Sequence, residues 1–393
     1  MPHDGAVLPP YCFPQYPPIN LVKVEAQVYR IPIVEPVQTS FGEMRDRPAV
    51  FVRLEDDQGA HGWGEIWCNF PNVGAEHRAR MVAACIAPLL KAQPWQHPTQ
   101  AFQAVGQQLE VLGIQTGEPG TIAQCIAGLD IALWDLVARR QGRPLWKIFG
   151  GTPDVRVYAS GINPQNPVEV ARRKQAEGYR AFKLKIGFDA QHDLANFRAM
   201  REALGPSAVL MVDANQAWSL DTALSLCPQF APFDPQWIEE PIRADSPPDA
   251  WRHLAQATHI PLAAGENLRG ARAFKAAVDG GTLNVIQPDI GKWGGFSGCL
   301  PVAAYAVREG RIFCPHWLGG GIGLLASMHL KASIGHDGYV EVDANPNPLR
   351  SVIGSQLLQP KDGVVTLSDA AGLGVEPDFC SVREFRKLTC TAA

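Results

Sequence analysis

Hydrophobic and polar residues alternate from Ile19 to about Pro32 and again from Pro48 to Asp57, and a third short segment after the Gly59 turn ends in Trp63, Gly64 and Glu65. A period of two buries one face of a strand, so these segments predict a three-stranded antiparallel sheet. Two helical stretches follow. In the second, Ile122, Ile126, Leu129, Leu133 and Leu136 recur at intervals of three and four, drawing an apolar stripe along a helix from about Thr121 to Arg140. At Pro153 the pattern changes. Short runs rich in Val and Ile now alternate with helical stretches: VRVYAS, FKLKIG, VLMVDAN, QWIEEP, IPLAAGE, NVIQPD and RIFCPH, with an eighth run near Gly338 to Val342. Strands separated by helices give parallel βα repeats, and this many predict a closed barrel in preference to an open doubly wound sheet. The first βα turn has no GxGxxG, which argues against a dinucleotide fold. The expected fold class is α/β, a modified (β/α)7β TIM barrel over residues 151–344 preceded by an α+β domain over residues 19–150. The loop-rich segment 345–393 is expected to cross back and complete that first domain. Connections near residues 16–47, 66–75 and 316–323 are long enough to act as lids.

Composition narrows the setting. A chain of 393 residues with 46% hydrophobic and 19% charged residues buries a large core and suits two domains. The formal charge of -4, without a Lys/Arg block, supports neither a nucleic acid nor an anionic membrane as partner. The longest apolar segments are strand-sized or interrupted by charge, so no membrane span is predicted. The leader MPHDGAVLPPYCFPQYPP lacks a basic region followed by an apolar core, and its prolines read as a loose segment, not an export signal. Nine cysteines, an odd number without zinc or disulfide spacing, fit a reducing cytoplasm.

The chemistry lies in acidic residues at predicted strand ends. Asp213, Glu239, Glu266 and Asp289 close four successive apolar runs at intervals of 26, 27 and 23 residues, the length of one βα repeat. Four carboxylates would then converge on one mouth of the barrel. Magnesium or manganese prefers such oxygen donors, and Asp213, Glu239 and Glu266 are the expected ligands. A lone Asp at a strand end more often caps the next helix. Four at matched intervals would raise one another's pKa values unless a cation or nearby lysines offset the repulsion. Glu240, next to Glu239, points the other way in an extended strand. Asn215 shares the side of Asp213 and is a candidate second-layer or substrate contact.

Lys183 and Lys185 are two apart in FKLKIG and share a face. Turned inward they meet the carboxylates, and each lowers the pKa of the other, which favours one as a base. Turned outward they are ordinary surface lysines. His316 ends the seventh run, and Asp289 ends the sixth, so adjacent strands can deliver a carboxylate–imidazole pair. Alone, His316 could equally be structural. Bases on the second and seventh strands with a metal between them suit removal of the proton α to a carboxylate.

On these residues the chain resembles the enolase superfamily, in particular its mandelate racemase-like group. The motifs run in order through ALWDL, KLKIG, VDANQAW, WIEEP, GEN, QPD and PHW to NPNPLR, covering nearly the whole length. The resemblance implies a capping domain on the barrel, Mg²⁺ held by Asp213, Glu239 and Glu266, Lys185 as a base, and Lys183 as its companion at the substrate carboxylate. It further implies His316 as the acid/base of the opposite face with Asp289 behind it, and Glu341 as a proton donor to the substrate carboxylate. Asp343, two residues on, could compete for the role of Glu341. A homo-oligomer acting on a small carboxylic acid is also implied.

Two reactions suit this constellation: dehydration of a sugar acid or small hydroxy acid to a 2-keto acid, which is favoured, and racemisation or epimerisation. A noncatalytic acid-binding protein is the competing class. Specificity is expected from the first domain, where Thr39, Ser40, Glu43, Arg45 and Arg47 could address hydroxyls or a distal carboxylate, with Arg45 the foremost anion candidate. Trp67, Asn69 and Phe70 offer a mixed wall, and Ser160, Asn163, Trp218 and Trp317 are further candidates at strand ends. The glycine-rich WLGGGIGLL could present backbone N–H groups to an anion or be an ordinary turn.

Overall fold

In a computed structural model, which describes residues 8–39, 42–71, 73–354 and 359–392, the alternating N-terminal segments form β1 (Leu21–Thr39), β2 (Gly42–Asp56) and β3 (His61–Ile66), paired antiparallel in that order. The β1–β2 ladder runs beyond Pro32. After a bulge it resumes at Val37 opposite Met44 and continues to Thr39 opposite Gly42. The loop expected through residue 47 is therefore mostly a hairpin arm. Pro32 and Pro36 interrupt the alternation, and the bulge is where a ladder tolerates them.

The leader also departs from expectation. Phe13 stacks on Trp134 with ring centroids 5.3 Å apart, Tyr16 stacks on His97 at 5.8 Å, and His97 Nε2 meets the Pro14 carbonyl at 2.9 Å. Aromatic side chains between the prolines give this segment enough apolar surface to dock.

Among the described residues one helix, Pro119–Arg140, is long and apolar enough by length and composition to cross a membrane, but most of it is buried inside the protein. It packs between the cap sheet and the barrel. Gly62 and Gly64 of β3 lie directly on its backbone, where an added Cβ would come within 2.1 Å of the Ala132 carbonyl and 2.0 Å of the Gly128 carbonyl. Asp130 and Asp135, the charges that break its apolar run, are buried and bonded: Ser297 donates to the first and Arg139 pairs with the second.

The barrel strands are β4 (Asp154–Ile162), β5 (Ala181–Lys185), β6 (Val209–Asp213), β7 (Ile238–Glu239), β8 (Leu262–Ala264), β9 (Val285–Ile286), β10 (Ile312–Phe313) and β11 (Val340–Asp343). They pair in parallel in the order β10-β9-β8-β7-β6-β5-β4-β11, and a helix follows each of the first seven. The sheet curls until its two edges meet, where the Tyr339 N–H reaches Cys314 Sγ at 3.3 Å. Inside it, Tyr158, Ala181, Met211, Trp237, Ala263, Val285 and Cys314 form an apolar plug. Two residues further along from these, and from Tyr339 packed against them, stand Ser160, Lys183, Asp213, Glu239, Gln287, His316 and Glu341, with Gly265 following Ala263. Because side chains alternate with period two, the apolar layer passes directly into a polar one at the C-terminal mouth.

The tail returns in pieces. β12 (Val364–Thr366) pairs antiparallel with the start of β4, and β13 (Arg386–Ala392) pairs antiparallel with β1, giving a four-stranded cap sheet in the order β13-β1-β2-β3. Between them, the Leu373 carbonyl accepts from His329 Nε2 at 3.2 Å, while His329 Nδ1 accepts the Trp146 N–H at 3.1 Å. That geometry demands a neutral ring. Burial pushes the His329 pKa down to about 4, against a weaker upward pull from the Leu373 carbonyl. Between pH 4 and 6.5 the unfolded chain binds this proton and the folded chain does not, so stability rises with pH across the window and is lost on acidification, by roughly 3 kcal/mol in all. Replacing His329 with Gln should remove this contribution, so the wild-type-minus-variant difference in urea midpoints should rise with pH over that range, and a difference that stays constant would contradict the assignment.

Candidate active site

Both lysines of β5 face inward, as the alternation requires: Phe182 and Leu184 pack in the surrounding core, and Lys183 and Lys185 enter the polar layer. Lys183 is fully buried, with Nζ 2.5 Å from Glu239 Oε1, 2.9 Å from Glu341 Oε1 and 3.7 Å from Asp213 Oδ2. It also lies over the Tyr158 ring, 5.2 Å from the centroid. Burial opposes its charge, but Glu239 and Glu341 hold its pKa well above the ordinary lysine value. Lys185 Nζ donates to Asp213 Oδ2 and Asn215 Oδ1, both at 2.6 Å. Burial and Lys183 both disfavour its charge, yet Asp213 outweighs them and raises its pKa. The expected depression of the Lys185 pKa is thus overridden by a carboxylate closer than the second lysine.

His316 belongs to the opposite side of the ring. Its Nδ1 donates to Asp289 Oδ2 at 2.6 Å, and the backbones of the two residues form a parallel bridge, so the pair expected from adjacent strands is present. Its Nε2 contacts Glu266 Oε2 and lies 3.5 Å from Glu341 Oε2. Burial works against protonation, but Glu266, Glu341 and Asp289 together hold the imidazole charged well above its usual pKa. Glu341 also accepts from Ser160 Oγ and, at 3.2 Å, from the Trp317 N–H. Burial favours its neutral form, but Lys183 and His316 hold its pKa below the usual value. Glu341 thus stands between Lys183 and His316 as the acceptor of Ser160 and of the Trp317 N–H. Asp343 does not compete with it, because Arg47 of the cap is ion-paired to Asp343 in a buried contact.

The three expected ligands stand on adjacent strands: Asp213 ends β6, its register partner Glu239 ends β7, and Glu266 follows β8 by two residues. All are hard oxygen donors, which suit Mg²⁺ or Mn²⁺. Among the described residues, however, no three acidic, His or Cys side chains gather closely enough for one ion. The expected ring resolves into ion pairs: Asp213 with Lys185, Glu239 with Lys183, and Glu266 with His316 and Lys292. Unpaired carboxylates in a dry layer repel, so each turns to the nearest cation. Gln287 Nε2 donates to the second Glu239 oxygen at 2.6 Å. Burial lifts the Glu239 pKa to about 7 while Lys183 pulls it down. Glu240 turns away as expected, with φ of 39°, and accepts Asn267 Nδ2 at 2.9 and 3.0 Å.

The remaining candidates divide. Asn215 contacts Lys185, as above. Trp67 Nε1 and Asn163 Oδ1 are buried polar atoms without a protein partner, which makes both natural contacts for a bound acid. Arg45 is not at the mouth: its side chain is 78% exposed and pairs with Glu43 on the hairpin arm. The bulge separates it from Arg47, which turns inward instead. Ser40 lies outside the described residues. Trp218 packs against Phe230 and Trp317 is buried with Nε1 donating to the Gly320 carbonyl, so both are packing residues. Sequence reasoning missed Lys292, whose Nζ is 3.3 Å from Glu266 Oε1 and 4.7 Å from the Trp67 ring centroid. The signal was its place three residues after Asp289, since its N–H donates to Asp289 Oδ1 and the turn brings the side chain back to the mouth. The glycine-rich segment is explained by packing: an added Cβ would come within 2.4 Å of the Trp317 ring at Gly319 and 2.0 Å at Gly323.

A capped barrel with inward lysines on its second strand, carboxylates on the third to fifth and an Asp–His pair on the sixth and seventh defines an acid/base catalytic scaffold. Residues 23–150 match the mandelate racemase/muconate lactonizing enzyme N-terminal domain, and residues 167–381 match the enolase C-terminal domain-like family. A 3,6-anhydro-alpha-L-galactonate cycloisomerase from Streptomyces coelicolor is 35% identical, over 91% of this chain and 97% of its own length. A D-galactarolactone cycloisomerase from Agrobacterium fabrum is 34% identical, over 86% and 92%. Among solved structures, a mandelate racemase/muconate lactonizing enzyme from Bordetella bronchiseptica superposes with a TM-score of 0.89 at 52% identity, covering 93% of this chain and 99% of that one. An L-talarate dehydratase from a Polaromonas species, complexed with Mg and L-glucarate, gives 0.80 at 26% identity, covering 95% and 99%. The chain belongs to the mandelate racemase/muconate lactonizing enzyme family of the enolase superfamily.

Proposed function

We propose that this protein removes the proton α to the carboxylate of a sugar acid and expels the oxygen on the β-carbon, yielding a 2-keto acid, with Mg²⁺ held by Asp213, Glu239 and Glu266. When bound, the ion supplies Lewis-acid stabilisation of the enediolate and engages the Asp213 charge that otherwise keeps Lys185 protonated. The observation that carries the reading is the placement of two proton-carrying groups, Lys185 on β5 and His316 after β10, on nearly opposite sides of one polar ring. Lys185, freed of its proton, takes the α-proton. The β C–O bond then breaks, His316 gives its proton to the departing oxygen, and the enol tautomerises to the keto acid. Lys183 lies beside the carboxylates and would meet the substrate carboxylate, while the unpartnered Trp67 Nε1 and Asn163 Oδ1 address its oxygens.

If the departing oxygen is a hydroxyl, the reaction is a dehydration. If it belongs to a lactone or anhydro ring, the same steps open that ring, as the names of the two curated relatives suggest. Opposed bases also serve epimerisation, which is the second reading. Incubation with aldaric and aldonic acids and their lactones in D₂O, with Mg²⁺ or with EDTA, separates these outcomes. A Mg²⁺-dependent keto acid is expected. Deuterated, inverted acid without keto acid would establish epimerisation instead, and absence of exchange across the library would mark a noncatalytic binder.

A further inference from the structure

We propose that Glu65, in β3 of the cap sheet, is a positioning residue that holds the His316 side of the site in register. The assignment rests on the enolate reading above for its kinetic consequence. Glu65 is buried, and its two oxygens accept the N–H groups of Gly320, at 2.5 Å, and Gly323, at 2.9 Å. These glycines open the helix Gly321–Ile334, so the carboxylate fills the N–H groups that a helix start leaves free. The glycine run therefore presents those two amides to the protein's own cap, not to a substrate.

The clamp extends to His316 by a short path. Trp317 Nε1 donates to the Gly320 carbonyl at 2.9 Å, and the Trp317 N–H donates to Glu341 at 3.2 Å, the same oxygen that lies 3.5 Å from His316 Nε2. A second cap residue braces the same loop: Asn69 Nδ2 donates to the Leu318 carbonyl at 2.6 Å. Any Cβ at Gly320 would come within 2.7 Å of Glu65 Oε1, so the loop and the carboxylate are in direct contact. Lys185, by contrast, is held by Asp213 and Asn215 and shares none of these partners. The cap thus braces the His316 side of the site, while Lys185 bonds to Asp213 and Asn215 of the barrel.

Glu65→Gln retains size but offers an acceptor to only one glycine and sets an NH₂ group against the other. Asn69→Ala removes the milder brace and serves as the second variant. With galactarate and L-talarate, epimeric at an α-carbon, as probes in D₂O with Mg²⁺, Glu65→Gln is expected to slow α-proton exchange about 100-fold for the epimer served by His316 and less than about threefold for the one served by Lys185. Equal loss on both faces, or loss on neither, would overturn the assignment. Two readouts need no turnover: the amide protection of Gly320 and Gly323, and the resonance of the His316 Nδ1 proton shared with Asp289, which should both change in the variants. If wild type exchanges neither epimer, the enolate reading fails for these acids, and an unmoved His316 resonance would separately refute the positioning role.

Discussion

Lys185→Ala is expected to lower α-proton exchange on one face of the substrate by roughly 10³-fold or more, and His316→Asn to do the same on the other face. The reason is geometric. The two groups rise from strands three apart by the short way round an eight-stranded barrel, and each has its own partner: Asp213 for Lys185, Asp289 for His316. Neither partner is shared, so each variant should spare the other face. His316→Asn keeps a side chain able to donate to Asp289, which limits collateral rearrangement. Stereospecific deuterium incorporation, followed by ¹H NMR with each epimer of a reactive acid, reads the two faces separately. Persistence of exchange on both faces in both proteins would remove these residues from the chemistry.

A second large effect concerns stability. Lys183→Met should destabilise the metal-free protein by about 3–5 kcal/mol, because it leaves Glu239 and Glu341 facing one another in a dry layer without their shared cation. Methionine fills similar space above the Tyr158 ring, so lost packing is a minor part. A divalent ion held by Asp213 and Glu239, as proposed, would bring positive charge back beside these carboxylates, and at 100 times Kd ligand binding adds about 2.7 kcal/mol to any protein that holds it. Mg²⁺ should therefore stabilise the variant more than wild type. Urea unfolding in EDTA and in saturating Mg²⁺ checks both statements. A deficit below about 1 kcal/mol, or one identical in the two conditions, would show that the lysine does not balance these carboxylates.

Much of the site was legible because barrel geometry converts sequence spacing into direction. One βα repeat between carboxylates places them on neighbouring strands, and a spacing of two puts Lys183 and Lys185 on one face; both relations hold in the fold. Charge balance was less legible. Coulomb energy in a buried layer depends on distances of a few ångströms, and those decided that Asp213 raises the Lys185 pKa and that Lys183 and His316 lower that of Glu341. Arg45 and Arg47 share a parity and look equivalent along the chain. A bulge in the partner strand, masked by Pro32 and Pro36, sends one to solvent and the other to Asp343.

By itself, then, the sequence determined the barrel, its cap and the inward or strand-end positions of Asp213, Glu239, Glu266, Lys185 and His316, because periodicity and strand-end position are local properties of the chain. Only the tertiary structure decided which charges pair, that Lys292 joins the mouth, and that Glu65 closes the glycine loop 255 residues away. Those contacts join segments far apart in sequence, and their energies depend on burial and on sub-ångström approach that no local pattern encodes.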